Sequence, residues 1–229
     1  MKPTVICLMS SSIDGRLHPS RYTESPDGDR TQWSAAYEDL HSRLEGDAWL
    51  VGRVTMAEMS KAAPHPPSTF PAVDRPIHVA SRSGSYAIGV DRSGKLHFDG
   101  GAVGGDQVIV LLGRDVTDSH LAELTADGVS YIVAPESEMN LEAMLETLAD
   151  GFGIKRLLLE GGGAINGSFF AAGLVDELDV LIAPALDGGI TEGIVDYEPG
   201  LLGLTRLSLR SAKAVENGLV HLRYRVLPA

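Results

Sequence analysis

A strand-to-helix turn made of three glycines is the part of the sequence with the clearest chemical potential. The apolar run 157–159 leads into Glu160 and three consecutive glycines, and a helix is predicted to follow at once. Glycines let a backbone approach a ligand closely, and a helix N-terminus presents free N–H groups and partial positive charge. The turn predicts a phosphate or pyrophosphate site, although a tight turn without a ligand fits the same residues. The predicted contacts are Gly162, Gly163, Ala164, Ile165 and Asn166.

Two common nucleotide motifs do not fit this turn. A P-loop ends in Gly-Lys-Ser/Thr, and Ala164-Ile165 stand in that place. A Rossmann fingerprint has a third glycine where this chain has Asn166, and it usually opens its domain. This turn lies only about 70 residues from the end of the chain, which leaves too little chain for such a domain.

Glu160 is the candidate catalytic residue. It comes at the end of a predicted strand and directly before the glycines, and ligands of open α/β sheets bind at the carboxyl ends of strands. A carboxylate there is able to bind a substrate amine or amide, or to help deliver a proton. The alternative is a carboxylate that caps the following helix.

Strands and helices are predicted to alternate along most of the chain, which favours an α/β fold with a mostly parallel central sheet flanked by helices. A turn near Asn217-Gly218 predicts a C-terminal antiparallel hairpin. Residues 60–76 and 83–106 are predicted to be irregular, and residues 1–229 are predicted to form a single domain. The predicted strands are 4–9, 48–51, 77–80, 108–112, 129–133, 157–159, 177–182, 205–210 and 219–226, and the predicted helices are 33–44 (capped by Thr31), 54–60, 119–126, 141–148 and 164–172.

Composition excludes several classes of function. The net charge of −12 argues against nucleic-acid and anionic-membrane partners. Cys7 is the single cysteine, and no apolar stretch is long enough for a signal peptide or a membrane span. The cytoplasm is therefore the expected location. The seven histidines are scattered without a ligand motif, so no metal site is expected.

Beyond single motifs, five ordered stretches resemble the reductase domain of riboflavin biosynthesis, a member of the dihydrofolate-reductase-like superfamily. The resemblance runs from residue 4 to about residue 190. Its pieces are Ser10 to Arg16, Thr31-Gln32-Trp33, Val51-Gly52-Arg53-Val54-Thr55, Glu160 to Gly163 with Phe169-Phe170 and Leu174 to Leu178, and Ala183-Pro184 with Gly188-Gly189; Arg43 also matches the arginine at the end of the first helix.

This resemblance implies an NADPH-dependent oxidoreductase of the pyrimidine reductase type that acts on a small molecule, and it also implies a homodimer. Ser10, Trp33 and Thr55 would contact NADPH, whose pyrophosphate would lie against the glycine turn. Thr31, Arg43 and Glu160 would face the substrate. Charge and position make Arg53, or Arg82, the candidate for the 2′-phosphate of NADPH.

One departure from the family leaves the substrate open. Biosynthetic members carry an Asp-Asp-Pro-x-Leu-Thr-Val-Arg-like stretch soon after the Val-Gly-x-x-Thr motif, whereas this chain reads Met56 to Pro64 there. Lys61 or Arg75 would have to replace its arginine. The expected activity resembles that of 5-amino-6-(5-phosphoribosylamino)uracil reductase. The alternatives are a paralogous reductase of another pterin, pyrimidine or small carbonyl compound, and a non-catalytic nucleotide-binding protein on the same fold.

Overall fold

The computed structural model describes residues 1–82 and 84–229, which form two compact units. Unit 1 comprises Met1–Pro3 and Asp47–Leu157, and unit 2 comprises Thr4–Gly46 and Leu158–Ala229. The single domain expected from the sequence stays a prediction. Among the described residues, no helix is both long and apolar enough to cross a membrane.

Eleven strands and five α-helices alternate through most of the described chain. The strands are β1 (Thr4–Ser11), β2 (Ala48–Gly52), β3 (Ile77–His78), β4 (Tyr86–Asp91), β5 (Ala102–Val103), β6 (Asp106–Leu112), β7 (Ser130–Val133), β8 (Arg156–Leu159), β9 (Glu177–Ile182), β10 (Thr205–Ala214) and β11 (Val220–Pro228). The helices are α1 (Arg30–Arg43), α2 (Arg53–Ser60), α3 (Asp118–Ala126), α4 (Leu141–Phe152) and α5 (Gly163–Ala171).

In unit 1, parallel strands form the centre of the sheet. Their order is β2-β4-β6-β7-β3, with the short β5 paired to β6. The pairs β2–β4, β4–β6 and β6–β7 are parallel, whereas β3 and β5 pair in antiparallel fashion. The run Val108 to Leu112 of β6 is completely buried, as expected for a strand covered on both faces.

In unit 2 the strand order is β10-β11-β9-β1, followed by the last two residues of β8, Leu158 and Leu159. Strands β1 and β9 are parallel, while β11 pairs antiparallel with both β9 and β10. The chain turns between β10 and β11 at Asn217, whose φ is +59°. These strands confirm the α/β class with a mostly parallel sheet, flanking helices and a C-terminal antiparallel pair.

Helix α1 is capped by Asp29, so the expectation that Thr31 caps it is wrong. The Asp29 carboxylate accepts the backbone N–H groups of Thr31 and Gln32 at 2.8 and 3.0 Å. Gln32 completes the capping box, because its Oε1 accepts the Asp29 N–H at 3.0 Å. A carboxylate also suits the positive end of the helix dipole. The helix therefore starts three residues earlier than the apolar pattern predicts.

Strand β4 was missed because it lies within residues 83–106, which were expected to be irregular; Ser83 is outside the described residues. A glycine inside a strand normally weakens it. Here a Cβ on Gly89 would lie 2.9 Å from Leu96 Cδ1 and 3.1 Å from Met56 Cγ. Gly89 is therefore required for close packing within unit 1 and does not signal a loop.

Candidate active site

The three-glycine turn connects β8 to α5 within unit 2. Gly162 is the N-cap of α5 and has φ +34° and ψ 149°, a conformation that favours glycine. The backbone N–H of Gly163 donates to Glu192 Oε1 at 2.6 Å. The first N–H of this helix thus holds a carboxylate from a side chain of the same unit, and the phosphate site stays a prediction.

Glu192 belongs to a segment, residues 187–196, that is fastened beside the glycine turn. Backbone hydrogen bonds run from Leu17 N–H to Glu192 O, from Ile194 N–H to Gly15 O and from Asp196 N–H to Gly163 O, at 2.9 to 3.2 Å. A Cβ on Gly163 would overlap the Asp196 carboxylate, and one on Gly167 would overlap the Asp196 carbonyl. Packing against this segment is therefore one reason for glycines here.

Asp14 fixes the other end of the 187–196 segment. Its carboxylate accepts the backbone N–H groups of Asp187 and Gly188 at 3.1 and 2.8 Å and the Ser12 hydroxyl at 2.6 Å. The Ser12 hydrogen bond, followed by the two backbone N–H groups, lowers the pKa of Asp14. Asp14 therefore does more than form a turn, which is the role that its sequence context suggests.

The predicted pyrophosphate contacts of α5 differ in exposure. Ala164 is exposed and Ile165 is half-buried. Asn166 is fully buried, and its Nδ2 donates to Ile194 O at 2.8 Å. The Asn166 side chain thus anchors the 187–196 segment, and its contact with a cofactor stays a prediction.

Glu160 forms a close pair with a histidine that the sequence analysis did not select. His41 Nδ1 lies 2.7 Å from Glu160 Oε1. A carboxylate only accepts hydrogen bonds, so the imidazole donates from Nδ1. The His41 side chain is 29% exposed and the Glu160 side chain is 10% exposed. The pair is therefore mostly buried, with the histidine on its outer side. The hydrogen bond from His41 orients the Glu160 carboxylate.

Two further ionisable groups lie near Glu160. Tyr37, one helical turn before His41, lies with its hydroxyl 3.4 Å from Leu8 O. Burial, followed by the negative charge of Glu160, raises the pKa of Tyr37 well above its usual value. Burial also raises the pKa of Cys7, with the charges of Glu160 and Asp179 contributing. Both groups are therefore protonated at neutral pH, and Cys7 is a buried, inert thiol.

The structure does not bring the predicted substrate residues Thr31 and Arg43 to Glu160. Arg43 is exposed and pairs with Asp39 at 2.9 Å along α1. It lies two positions after His41, which places it on the other side of the helix. Thr31 is ten positions before His41, or about 15 Å along the axis. Substrate binding by these two residues stays a prediction.

The signal for His41 was present in the sequence. Trp33, Tyr37 and His41 recur every four residues, which places them along one face of a helix. Trp33 is buried with Ala183, Ala185 and Leu219, and its Nε1 donates to Asn217 O at 3.0 Å. Trp33 thus belongs to a packed apolar cluster, and its contact with NADPH stays a prediction.

The other predicted cofactor residues fall in different places. Ser10 lies half-buried near the end of β1 in unit 2. Arg53 and Thr55 lie in the first turn of α2 in unit 1, with Arg53 exposed. Arg82, also in unit 1, donates from Nη1 to Gly151 O at 2.5 Å. The roles of these residues in cofactor binding stay predictions.

The sequence of this chain is similar to that of a known protein family. The sequence model of the RibD C-terminal domain matches residues 3–221. The chain belongs to the RibD C-terminal domain family. A curated relative, the 2,5-diamino-6-ribosylamino-4(3H)-pyrimidinone 5′-phosphate reductase of Methanothermobacter thermautotrophicus, is 31% identical over 199 residues, which cover 82% of this chain and 81% of the relative. Together, the family and this relative identify the chain as an oxidoreductase.

Two further similarities agree with this assignment. The riboflavin biosynthesis protein RibD of Bacillus amyloliquefaciens is 29% identical over 196 residues, which are 82% of this chain and 47% of that protein. A crystal structure of a pyrimidine reductase-like protein from Corynebacterium diphtheriae superposes with a TM-score of 0.71 at 23% identity, covering 99% of this chain and 93% of that one. The second likeness confirms the fold that the sequence resemblance implied.

Proposed function

We propose that this protein uses NADPH to reduce a ribosylamino-pyrimidine 5′-phosphate to the ribitylamino compound. The observation that carries the proposal is the 31% identity to a reductase of such a substrate across 82% of the chain. The position of Glu160 supports it, because an oriented carboxylate follows β8 directly before the glycine turn. Reaction in the cytoplasm is consistent with the free thiol of Cys7.

The residues around the glycine turn fit a dinucleotide phosphate. The N-terminus of α5 already holds the Glu192 carboxylate on the Gly163 N–H, so it attracts an anion. Gly162 to Asn166 would hold the pyrophosphate, and Ser10, Trp33 and Thr55 would line the rest of the cofactor. Arg53 is the better candidate for the 2′-phosphate, because Arg82 is engaged with Gly151 O. When bound, the reduced nicotinamide supplies a hydride.

Glu160 and His41 have distinct roles in this proposal. The ring-opened substrate has a C1=N bond that accepts a hydride at C1 and a proton at nitrogen. Glu160 binds N–H donors of the pyrimidine and so holds C1 in place. His41, by donating to Glu160 Oε1, fixes the direction of the carboxylate and acts as a positioning residue.

The proposal is tested by following NADPH oxidation with the purified protein. We expect turnover with a ribosylamino-pyrimidine 5′-phosphate, offered in its diamino and deaminated forms, and a clear preference for NADPH over NADH. Binding of NADPH without turnover of either form would point to a non-catalytic nucleotide-binding protein. Absence of binding to either nucleotide, with the protein shown to be folded, would contradict the cofactor assignment.

The second candidate function is reduction of a substrate that has no sugar phosphate. The contacts of Arg75 favour it. Its guanidinium is 2.8 Å from Asp118 Oδ1 and donates to the carbonyls of Arg114 and Val116. An arginine held in this way is a poor replacement for the missing motif arginine, while Lys61 ends α2 in the left-handed conformation. Turnover of the dephosphorylated substrate with an unchanged KM would favour this candidate.

We further propose a homodimer formed through β10. This strand lies at the end of the strand order in unit 2, and Leu207 and Leu209 on it are 49% and 57% exposed. Exposed apolar side chains on an edge strand invite pairing with a second chain. Light scattering should give twice the chain mass, and Leu207→Lys should reduce it to one chain. Leu202→Lys, in an exposed loop, is the control that should leave the mass unchanged.

A further inference from the structure

Histidines that are far apart in the sequence meet a buried carboxylate in unit 1. Glu123, in the middle of α3, is only 1% exposed. Its Oε1 lies 2.7 Å from His97 Nδ1 and accepts the backbone N–H of His65 at 3.0 Å. This cluster lies outside the residues considered for the reductase.

The side chains that pair with the Glu123 carboxylate are histidines. Throughout residues 1–82 and 84–229, the groups that pair with this carboxylate are His65 and His97, and no lysine or arginine does so. A buried carboxylate is costly unless it is paired or binds a metal. Hydrogen bonds to the Ala63 carbonyl and the Asp127 carboxylate raise the pKa of the exposed His65 to about 9, so His65 supplies one positive charge from the outer side. A divalent cation would add charge at the buried side, where His97 meets Glu123.

His120 adds a second ring to the cluster. It precedes Glu123 by three residues on α3, so both side chains lie on one face of the helix. It is 6% exposed, and within the described part of the chain its Nε2 has no hydrogen-bond partner. The rings of His97 and His120 meet edge to face, with 5.4 Å between centroids. A buried imidazole nitrogen without a partner is able to act as a metal ligand.

The loop that carries His97 is held in place before any ligand arrives. Asp91 is fully buried, and its Oδ2 accepts the Leu96 N–H at 2.7 Å. A Cβ on Gly94 would lie 3.1 Å from His120 Cδ2, so this loop packs directly against the second histidine. Both rings are therefore positioned by packed backbone, which lowers the entropy cost of ligation.

We propose that His97, His120 and Glu123 bind a divalent transition metal, with Zn²⁺ as the best match. One donor atom from each residue lies within 4.8 Å of the other two. Tetrahedral zinc with bonds near 2.0 Å needs donors about 3.3 Å apart, so small rotations suffice. Two imidazoles and a carboxylate are ligands that zinc accepts, and water completes the fourth position.

The metal would connect the loop after β4 to α3. Next to it, the exposed His65 pairs with Asp127 at 3.1 Å, which closes the outer side of the cluster. These ligands all lie in unit 1, and the role inferred for the ion is to hold the loop after β4 against α3. The proposal does not depend on the proposed reductase function.

The test is a zinc titration of the full chain, prepared without a polyhistidine tag and freed of metal with EDTA. We expect one equivalent of Zn²⁺ to bind and to raise the melting temperature, because a ligand of the native state stabilises it. His97→Gln and His120→Gln should each weaken binding by at least about 10-fold. His78→Gln is the matched control, because His78 pairs with a single carboxylate, Asp74, at 3.2 Å, and it should bind like the wild type.

Cobalt gives a second readout, because Co²⁺ in a tetrahedral site has a strong visible absorption that octahedral aqueous Co²⁺ lacks. Wild-type protein should show it, and His120→Gln, shown to be folded by circular dichroism, should not. The proposal is overturned if the wild type binds no stoichiometric zinc, which would leave a hydrogen-bonded network only. It is equally overturned if both folded variants bind like the wild type, or if His41→Gln abolishes binding.

Discussion

Two histidine–carboxylate pairs in this protein have the same geometry and very different surroundings. His41 Nδ1 and Glu160 Oε1 are 2.7 Å apart in unit 2, and His97 Nδ1 and Glu123 Oε1 are 2.7 Å apart in unit 1. The Glu160 side chain is 10% exposed, whereas that of Glu123 is 1% exposed. The hydrogen bond alone therefore does not indicate what each pair does.

The neighbours of each carboxylate make the difference. Glu160 directly follows a strand and precedes a helix N-terminus that attracts anions, which is where ligands bind in open α/β sheets. Glu123 lies inside a helix, with a second buried imidazole from His120 on the same face. We infer that the first pair serves ligand recognition and that the second serves structure.

The largest effect on stability is expected at the buried pair. Replacing Glu123 with Gln removes the charged acceptor of the His97 and His65 N–H groups, and it places amide hydrogens beside donors. Measured by urea unfolding in EDTA, Glu123→Gln should lose about 2 kcal/mol of unfolding free energy. Reductase kinetics at a temperature where the variant is folded should stay at the wild-type value.

Glu136→Gln is the control for this substitution, since Glu136 lies in an exposed loop of the same unit. Its unfolding free energy should match that of the wild type. If Glu123→Gln were as stable as this control, the two pairs would not differ in their structural role, and the comparison would fail.

The free energy of unfolding is expected to depend on pH through Cys7, whose pKa is affected by Glu160. The pKa of Cys7 is raised in the native state from 9.0 in the unfolded chain, mainly by burial and next by the Glu160 charge. The unfolded chain thus loses its thiol proton first as pH rises, so this contribution to stability is complete below about pH 9 and lost above it. At pH 10 the loss amounts to about 1.4 kcal/mol.

Unfolding measured at about pH 8 and pH 10 for the wild type and Cys7→Ala checks this expectation. The variant should lose less stability between the two values, although other groups, Tyr37 among them, contribute to both proteins. Equal losses in the two proteins would mean that the thiol is not held protonated by its surroundings.

The smallest effect is expected at the helix terminus next to Glu160. Glu192 occupies the Gly163 N–H and would compete there with a pyrophosphate. Glu192→Gln should tighten NADPH binding about fivefold, because a charge at a helix N-terminus contributes about 1 kcal/mol. Glu198→Gln, exposed and nearby in sequence, should have no effect on fluorescence titrations. Weaker binding by Glu192→Gln would instead show that the segment 187–196 must stay in place.

Much of the fold follows from local pattern. Apolar runs of β-branched residues predict β1 and β9, and the asparagine-glycine turn predicts the antiparallel β10–β11 pair. Strand β4 did not follow, because Gly89 is required by contacts with Met56 and Leu96, which are distant in sequence. The cap of α1 was misplaced because the helix begins with polar residues that carry no apolar period.

The candidate sites show the same limit. Glu160 and the glycine turn adjoin in sequence, so their chemistry could be predicted, whereas finding His41 required knowing which face of α1 lies against Glu160. The histidine cluster draws on a proline-rich loop, the loop after β4 and α3. Its one local signal is the three-residue spacing of His120 and Glu123. No metal site was expected because the histidines form no ligand motif in the sequence.

The central claim is that Glu160, and not its counterpart Glu123, binds the substrate of the reductase. Its most direct test is kcat/KM for NADPH oxidation with a ribosylamino-pyrimidine 5′-phosphate, measured for wild type, Glu160→Gln and Glu123→Gln. Losing a hydrogen bond to a charged group should lower the value for Glu160→Gln by about 10- to 100-fold, with an unchanged melting temperature, while Glu123→Gln stays near the wild type. A folded Glu160→Gln protein with wild-type kcat/KM would contradict the account.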